Sequence, residues 1–348
     1  MRYAPPTYDR IPSVDAMVAQ MDRTVSGLEL VKRRLALALR RFMVAGAHDH
    51  DRPPQNVLII GPSGGGKTFI LRELLSAIPV IWAEVDATSF SDVGYVGRDV
   101  TSGYLGLFGS KWRGTREDAT PPHTQREVVA MAERWGVLVI DEFDKLRAPA
   151  RPKEGERQVG RALQTELLKL AEGVEAQVKR NDEDRGVMFG THNVLHIAVG
   201  AFQGLNEIVG EDMLREGIAP PPDAYMKANI FNVIKYGFLE ELVGRFSTIV
   251  TLPPLDALHM SRILREHVLP DFERQCADDG IVLNVDEGAL MALSSRATGL
   301  PIGARALAPM VDDCLAVNWG LAQRGDQLRL TAQSVRADMS LLVRPVAA

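Results

Sequence analysis

The stretch VLIIGPSGGGKTFILRELLSAI, residues 57–78, decides the fold class of this chain. The four apolar residues at its start are compact enough for a buried strand, and its second half has the composition of a helix. The segment between them, GPSGGGKT, fits the pattern G-x-x-x-x-G-K-[ST]. Glycines let backbone N–H groups wrap phosphates without Cβ clashes, and the start of the following helix adds a positive dipole end. A glycine-rich turn can match by chance, but the flanking strand and helix favour a P-loop.

The P-loop pattern assigns chemical roles to its residues. Lys67 should reach the β- and γ-phosphates of a bound nucleotide, and the Thr68 hydroxyl should bind Mg²⁺. The predicted phosphate-binding residues are Gly61, Pro62, Ser63, Gly64, Gly65, Gly66, Lys67 and Thr68.

A second motif, GVLVIDEFDK at 136–145, ends an apolar run with two adjacent carboxylates. Open α/β sheets bind ligands at the carboxyl ends of their strands. We expect Asp141 to hold Mg²⁺ through water and Glu142 to orient and polarise the attacking water, because phosphoryl transfer depends on positioning and electrostatics. Read alone, a strand ending in Asp-Glu is more often a solvated strand end. Downstream of a P-loop it indicates a Walker B motif.

Four further apolar runs resemble the first strand in length and composition. They are VIWAEVD at 80–86, VLVI at 137–140, VLHIAVG at 194–200 and FSTIVTL at 246–252. Segments of helical composition separate most of these runs, so strands and helices alternate as they do in α/β proteins. We expect a doubly wound parallel sheet with helices on both faces.

The composition changes after LPPLD, and this places a domain boundary at Pro253-Pro254. Beyond it the strand-like runs stop and the pattern becomes mostly helical. We expect an extended N-terminal arm at 1–14, a large α/β domain at 15–253 and a small helical lid domain at 254–348. Polar or Pro-rich stretches predict surface insertions at 109–125, 147–160, 178–192 and 211–229.

Composition and charge exclude several classes of protein. The chain has 348 residues, 46% hydrophobic and 24% charged, which is the usual mix of a soluble globular protein. Its net charge of -5 argues against a nucleic-acid binder held by a large basic field. Two cysteines, Cys276 and Cys314, are too few for a disulfide framework or a four-cysteine zinc module. No apolar run approaches the ~18 residues of a membrane span, and MRYAPPTYDR lacks the pattern of a signal peptide. We therefore expect a cytoplasmic protein.

Further segments accompany the two motifs in a fixed order. SDVGYVGRDV at 91–100 lies between them, and VGAFQGL at 199–205, YGFLEELVGRF at 236–246 and IGARAL at 302–307 follow. In this order the chain resembles the ClpX/HslU branch of the AAA+ unfoldases over about residues 14–325. ClpX is the nearer of the two, since the long intermediate domain that HslU inserts after Walker B would not fit. The resemblance implies an AAA+ P-loop ATPase with ATP and Mg²⁺ as ligands. It also implies a homo-oligomeric ring, a hexamer, that threads or remodels a protein substrate.

The resemblance gives the GYVG segment at 94–97 a role in gripping the substrate. It matches the loop that lines the central pore, with Tyr95 and Val96 as the aromatic–aliphatic pair that holds an extended polypeptide. An aromatic ring supplies a large contact area on any chain. The alternative is a tyrosine that packs into a turn.

The resemblance also assigns residues around the nucleotide. Arg245 matches the arginine finger that reaches the γ-phosphate of a neighbouring subunit, where a planar, permanently charged fork pairs two oxygens; the alternative is a surface salt bridge. Arg305 matches the sensor-2 arginine of the lid, which contacts nucleotide in its own subunit. Val25 and Ser26 occupy the position where the family's backbone recognises adenine, although TVSGL replaces the usual apolar-Gly-Gln pattern. Val199-Gly200, at the sensor-1 position, offers no polar side chain, so none is assigned.

Two departures from the family bear on partners. ClpX carries an N-terminal zinc domain built on four cysteines, and we expect adaptor recognition by such a domain to be absent. Its relatives dock on a peptidase through an apolar-Gly-Phe loop, but the shorter region between Phe202 and Tyr236 lacks this tripeptide. We expect no ClpP-type peptidase partner. The longer segment at about 109–127 contains Trp112, either a partner contact or an aromatic folded over the surface.

Two alternative functions are compatible with the same AAA+ fold. A nucleic-acid motor or loader conflicts with the acidic charge and with the GYVG segment, and nucleic acid is not an expected partner. A nucleotide-switched scaffold that barely hydrolyses ATP conflicts with the presence of Lys67, Asp141, Glu142 and Arg245. The sequence predicts an ATP-driven motor that acts on a protein.

Overall fold

The structure is a computed structural model, and it describes six segments of the chain. These are residues 8–48, 53–90, 100–109, 124–148, 156–179 and 185–336. The chain divides into two compact units. The first comprises Met1–Gly61 with Lys67–Leu252, and the second comprises Pro62–Gly66 with Pro253–Ala348.

Seven strands lie in the described part of the first unit. They are β1 Val57–Ile60, β2 Ile81–Asp86, β3 Gly136–Asp141, β4 Glu175–Val178, β5 Val187–Gly190, β6 Leu195–Gly200 and β7 Thr248–Thr251. Five of them form one parallel sheet in the order β2-β3-β6-β1-β7. In its register, Ile60 lies beside Gly200 and Thr251, so β1, β6 and β7 end at the same edge.

Nine α-helices accompany these strands in the part of the first unit that the structure describes. They are α1 Val14–Met21, α2 Glu29–Ala47, α3 Lys67–Ser76, α4 Leu105–Gly109, α5 Gln125–Trp135, α6 Glu156–Glu172, α7 Leu205–Arg215, α8 Ile230–Tyr236 and α9 Glu240–Gly244. Polar side chains fix several starts: Ser13 caps α1, and Thr124 forms a capping box with Glu127 on α5. Asn229 caps α8 in the same way.

The central strands bury side chains on both faces of the sheet. Leu58, Ile140 and Ala198 pack into one apolar cluster, while Ile59 and Val139 pack into another. Because successive side chains of a strand point to opposite faces, two buried faces require helices on both sides. The predicted doubly wound α/β sheet is confirmed.

The predicted surface insertion at 178–192 is wrong in part. Strands β4 and β5 pair there as an antiparallel hairpin. The hairpin is held down by Phe189, which is fully buried and packs against the rings of Tyr104 and Phe108. The 211–229 stretch is likewise partly regular, because it contains the end of α7 and a 3₁₀ helix, Ala224–Lys227.

The second unit is mostly helical. Its α-helices are α10 Ala257–Ile263, α11 Leu269–Asp278, α12 Glu287–Thr298, α13 Leu307–Leu321 and α14 Ala332–Arg336, with a π-helical turn at Leu264–Val268 and a 3₁₀ helix at Gly303–Ala306. The expectation that strands stop after the boundary is wrong, because β8 Val282–Val285 pairs in parallel with β9 Gln327–Leu330. Leu283, Leu328 and Leu330 face the core of this unit.

The helices were compared with the length and hydropathy that a membrane span requires. Among the helices in the described part of the chain, none is long and apolar enough to span a bilayer.

Candidate nucleotide-binding site

The P-loop connects β1 to α3, as the sequence predicts. Gly64 and Gly66 have φ angles of 66° and 80°, a left-handed backbone that favours glycine. Gly65 N–H donates to the Pro62 carbonyl at 3.1 Å and closes the turn. At Gly61, an added Cβ would lie 2.9 Å from the Cβ of Leu252, so the chain approaches too closely for a side chain. The glycines are therefore required by the shape of the loop.

Lys67 begins α3 and is 9% exposed. Its Nζ donates to the Gly61 carbonyl at 2.9 Å, which folds the side chain back along the loop. The ammonium thus lies at the point where backbone N–H groups and the helix start can bind phosphate.

A hydroxyl and a carboxylate meet across the carboxyl edge of the sheet. Thr68 Oγ1 donates to Asp141 Oδ2 at 2.8 Å, and the other carboxylate oxygen of Asp141 accepts from Glu142 N–H at 2.8 Å. Oxygen donors of this kind suit Mg²⁺, which keeps several waters and binds through one or two protein groups plus substrate phosphates. In the described residues no group of three or more His, Cys, Asp or Glu is placed to hold a metal. Thr68 and Asp141 therefore fit a metal that phosphates and water complete.

Glu142 has a left-handed backbone, with φ 53° and ψ 31°. For a residue other than glycine this conformation costs about 1–2 kcal/mol. It turns the chain sharply at the end of β3 and starts a 3₁₀ helix, Phe143–Leu146. The Glu142 side chain stays 37% exposed, with its carboxylate 4.0 Å from Lys145 Nζ. The turn leaves this carboxylate accessible at the edge where ligands bind.

Asp144 is a buried residue beside the site, and sequence reasoning gives it no role. It is 2% exposed, and its Oδ1 accepts from Ala201 N–H at 3.0 Å, immediately after β6. A Cβ on Gly200 would lie 2.7 Å from that oxygen. Asp144 thus occupies the space beside β6 that a side chain at Gly200 would need. The feature of the sequence that could have pointed to this residue is the second aspartate of the DEFD motif.

The segment that carries Arg245 packs against the residue after Glu142. Phe143 stacks on Phe238 at 4.9 Å between ring centroids and contacts Phe246 at 5.4 Å. Arg245 follows α9 and donates to Glu172 Oε1 at 2.5 Å in a half-exposed ion pair. Within one protomer the arginine therefore has the surface salt bridge named as the alternative, and its role in a neighbour's site stays a prediction.

Val25 and Ser26 lie in the turn between α1 and α2. Val25 is buried, its N–H donates to the Met21 carbonyl at 2.7 Å, and Gly27 follows with φ 62°. Thr24 Oγ1 donates to Glu73 Oε2 at 2.7 Å, which joins this turn to α3. The structure thus ties the predicted adenine position to the helix that begins at the P-loop.

Arg305 lies on the exposed side of the 3₁₀ helix Gly303–Ala306. Within the second unit, Ala304 N–H donates to the Gly64 carbonyl at 3.3 Å. Arg305 therefore follows directly after a residue bonded to a P-loop glycine. The predicted pore residues Tyr95 and Val96 lie outside the described residues.

A buried polar pair also supports β6. The Tyr104 hydroxyl and His196 Nε2 are 2.6 Å apart, and both residues are almost fully buried. Burial lowers the pKa of His196 to about 4 and raises the pKa of Tyr104 above its usual value. The imidazole is therefore neutral at pH 7. Its burial on β6, the strand that pairs with β1, places no charge in the core.

Comparisons with known proteins agree with this geometry. The family model described as "ATPase family associated with various cellular activities (AAA)" matches residues 57–203. The ClpX 2 subunit of Wolinella succinogenes, named an ATP-dependent Clp protease ATP-binding subunit, is 27% identical over 318 residues, covering 88% of this chain and 76% of the relative.

Two further relatives, each named an ATP-dependent Clp protease ATP-binding subunit ClpX, are identical to this chain to a similar extent. That of Azotobacter vinelandii is 29% identical over 327 residues, 85% of this chain and 71% of the relative. That of Treponema denticola is 28% identical over 327 residues, 87% of this chain and 75% of the relative.

The fold, the P-loop and the carboxylates at the strand edge define an AAA+ P-loop ATPase. Within that class the chain is similar to ClpX subunits. The predicted family resemblance, fold class and ATPase activity are confirmed.

Proposed function

We propose that this chain is an ATP-dependent unfoldase or remodelling motor that acts on a protein substrate as a homo-oligomeric ring, a hexamer, in the cytoplasm. The observation that carries the proposal is the contact of Thr68 with Asp141 beside the P-loop and the strained turn at Glu142. This arrangement suits repeated hydrolysis, and similarity to ClpX subunits supports a protein as the substrate.

The chain's own residues divide the work of hydrolysis. The glycine-rich loop and Lys67 bind the β- and γ-phosphates of ATP. Thr68 and Asp141 would hold Mg²⁺, which supplies charge neutralisation when bound. Glu142 orients the attacking water, and its exposed carboxylate and fixed backbone suit that task. Arg245 of a neighbouring subunit stabilises the charge that develops on the transferred group.

The lid and the pore convert hydrolysis into movement. Arg305 senses nucleotide within its own subunit; its support is the bond from Ala304 to the P-loop. Tyr95 and Val96 grip the substrate, and the support for that role is the GYVG match in the sequence.

We propose further that the motor works without a ClpP-type peptidase. The family's docking loop belongs between Phe202 and Tyr236, and in this chain that region folds back on the first unit. Tyr225 donates to the Leu252 carbonyl at 2.9 Å, and Thr251 Oγ1 donates to the Met226 carbonyl at 3.3 Å. These two bonds, made by adjacent residues, hold the 3₁₀ helix Ala224–Lys227 against the end of β7, so this part of the region is not a free docking loop. ATP-dependent degradation of a tagged substrate when such a peptidase is added would contradict this part of the proposal.

Tyr95→Ala tests the protein-motor function directly. A pore residue belongs to a different loop from the phosphate site, so ATP binding, assembly and thermal stability should be kept while remodelling of a substrate nearly vanishes. The substrate is first captured by Glu142→Gln rings in the presence of ATP, with Lys67→Ala rings as the control that should capture nothing. A core tyrosine would instead cost about 3–5 kcal/mol of stability. A large stability loss, or unimpaired remodelling, contradicts the proposal, and salt-sensitive stimulation of ATPase activity by DNA supports a nucleic-acid motor instead.

A further inference from the structure

The first turn of helix α2 carries a buried lysine that contacts the turn between α1 and α2. Lys32 is 1% exposed, whereas the adjacent Arg33 and Arg34 are exposed on the outer face of α2. Moving an ammonium group out of water costs several kcal/mol unless it is paired and hydrogen-bonded. A lysine buried at this position therefore requires close ionic and hydrogen-bonding partners.

Both close partners of Lys32 belong to the turn between α1 and α2. Its Nζ lies 2.5 Å from Asp22 Oδ1 and donates to the Val25 carbonyl at 2.6 Å. Asp22 is half-exposed, so the ammonium links the surface end of α1 to the buried carbonyl of Val25. One side chain thus holds the two ends of the segment 22–25.

The backbone of this turn requires such support. Gly27 and Leu28 are both left-handed, with φ 62° and 58°, and Leu28 makes no side-chain cap for α2. A left-handed leucine costs about 1–2 kcal/mol. Val25 is fixed on both sides, since its N–H is bonded to Met21 and its carbonyl to Lys32. These bonds determine where the next residues, Ser26 and Gly27, lie.

The turn is connected to the phosphate-binding helix. Glu73, which accepts from Thr24, lies six residues after Lys67 on α3, a rise of about 9 Å along the helix axis. α1 packs against α3 as well. The turn is therefore placed beside the helix that begins at the P-loop.

We propose that Lys32 is the positioning residue that makes nucleotide binding specific for the adenine base. By holding Asp22 and the Val25 carbonyl, it presets the main chain at Val25 and Ser26, which reads the base. This inference rests on the proposed nucleotide function and on the adenine position assigned to those two residues. Adenine offers an amino donor where guanine offers a carbonyl acceptor. A backbone fixed in advance can reject the wrong pattern, because the mismatched polar groups stay unpaired.

Three ligands separate base recognition from phosphate recognition: ADP, GDP and inorganic pyrophosphate, each titrated with Mg²⁺ by calorimetry. In the parent chain ADP should bind more tightly than GDP and pyrophosphate. Lys32→Met should weaken ADP binding by about tenfold or more and reduce the preference over GDP, while pyrophosphate affinity stays within about twofold. Lys32→Arg should restore part of the preference for ADP. Arg33→Met, which removes an exposed cation paired with Asp15, is the matched control and should change nothing.

Each result supports or overturns one part of the inference. If the parent binds pyrophosphate as tightly as ADP, the adenine position itself is wrong. If the parent prefers ADP and a folded Lys32→Met variant keeps the full preference, Lys32 has no role in specificity. Equal loss of ADP and pyrophosphate would assign Lys32 a general structural role and also overturn the inference. Should Lys32→Met fail to fold, Asp22→Asn, which keeps the lysine and weakens its exposed partner, decides the question by the same ratios.

Discussion

The phosphate site and the segment that carries Arg245 are built in opposite ways. At the phosphate site, Lys67, Thr68 and Asp141 already contact one another or the loop within one protomer. Arg245 instead pairs with Glu172 through two side chains that are both about half-exposed. Exposed ion pairs contribute about 0–1 kcal/mol, so Arg245 can exchange this carboxylate for a phosphate at little cost. The first region is preorganised within one protomer, whereas the second is held only by a weak, exposed ion pair.

The largest expected effect falls on the preorganised region. Glu142→Gln should reduce ATP turnover by about 10⁴-fold, because the attacking water loses its activating carboxylate. ATP binding and assembly should persist, since Thr68 and Asp141 remain. Lys67→Ala should instead weaken ATP binding itself. Steady-state turnover and equilibrium binding measured on both variants check this split. Normal binding and parental turnover in both would show that the site is assigned to the wrong residues.

Arg245→Ala should give the next largest effect. If this arginine completes a neighbour's site, turnover should fall by on the order of 10³-fold. Nucleotide affinity should change far less, since phosphate binding by the loop does not need the finger. Measuring both quantities separates a finger from a surface residue, whose loss would leave turnover near the parental value.

Stability measured as a function of pH should distinguish the buried Tyr104–His196 pair from the exposed Arg245–Glu172 pair. The pKa of His196 is about 4 in the folded chain, against 6.5 for a free histidine. Above pH 6.5 the histidine is neutral in both states and adds no pH dependence. As the pH falls from 6.5 to 4 the unfolded chain takes up the proton first, which removes about 3 kcal/mol of stability.

The double variant Tyr104→Phe/His196→Leu should lose this part of the acid sensitivity. Both polar partners are replaced together, so neither is left unpaired in the core. His192→Gln, which changes an exposed histidine in the turn just before β6, is the control. Denaturant unfolding at several pH values gives the difference between variant and parent. Equal slopes in the two between pH 6.5 and 4 would contradict a buried neutral histidine.

The smallest expected effect is that of Glu172→Gln. Removing the exposed partner of Arg245 should change the free energy of unfolding by less than about 1 kcal/mol. Turnover should remain within about threefold of the parent if, as proposed, Arg245 acts at the neighbouring site rather than at this glutamate. A loss of turnover as large as that of Arg245→Ala would show that the ion pair itself is the functional state.

The parts of the molecule that could be predicted from sequence are those whose signals are local. The P-loop needs a strand, glycines and a helix start in direct succession, and all three can be read between 57 and 78. The hairpin at 175–190 and the pair β8–β9 were missed because four-residue strands with alternating burial give little signal.

Residues whose role depends on distant contacts could not be found in this way. Lys32 stands in a run of cations, KRR, and only folding of the turn buries it. His196 and Tyr104 are 92 positions apart, and nothing near either residue indicates the other. Asp144 could have been singled out from the sequence, because it lies in the same motif as Glu142. Its hydrogen-bond partner Ala201 lies far away in the sequence and could not have been predicted.

Mixed rings test the central claim most directly, namely that a site preorganised in one protomer is completed by Arg245 of the next. Arg245→Ala subunits lack the finger, and Lys67→Ala subunits lack the phosphate site, so each should be inactive alone. Co-assembled rings, confirmed with two different tags, should recover ATP turnover at interfaces where an intact site meets an intact finger. The recovery should peak at intermediate ratios. No recovery at any ratio in confirmed mixed rings would contradict the account, because Arg245 would then act within its own subunit or not at all.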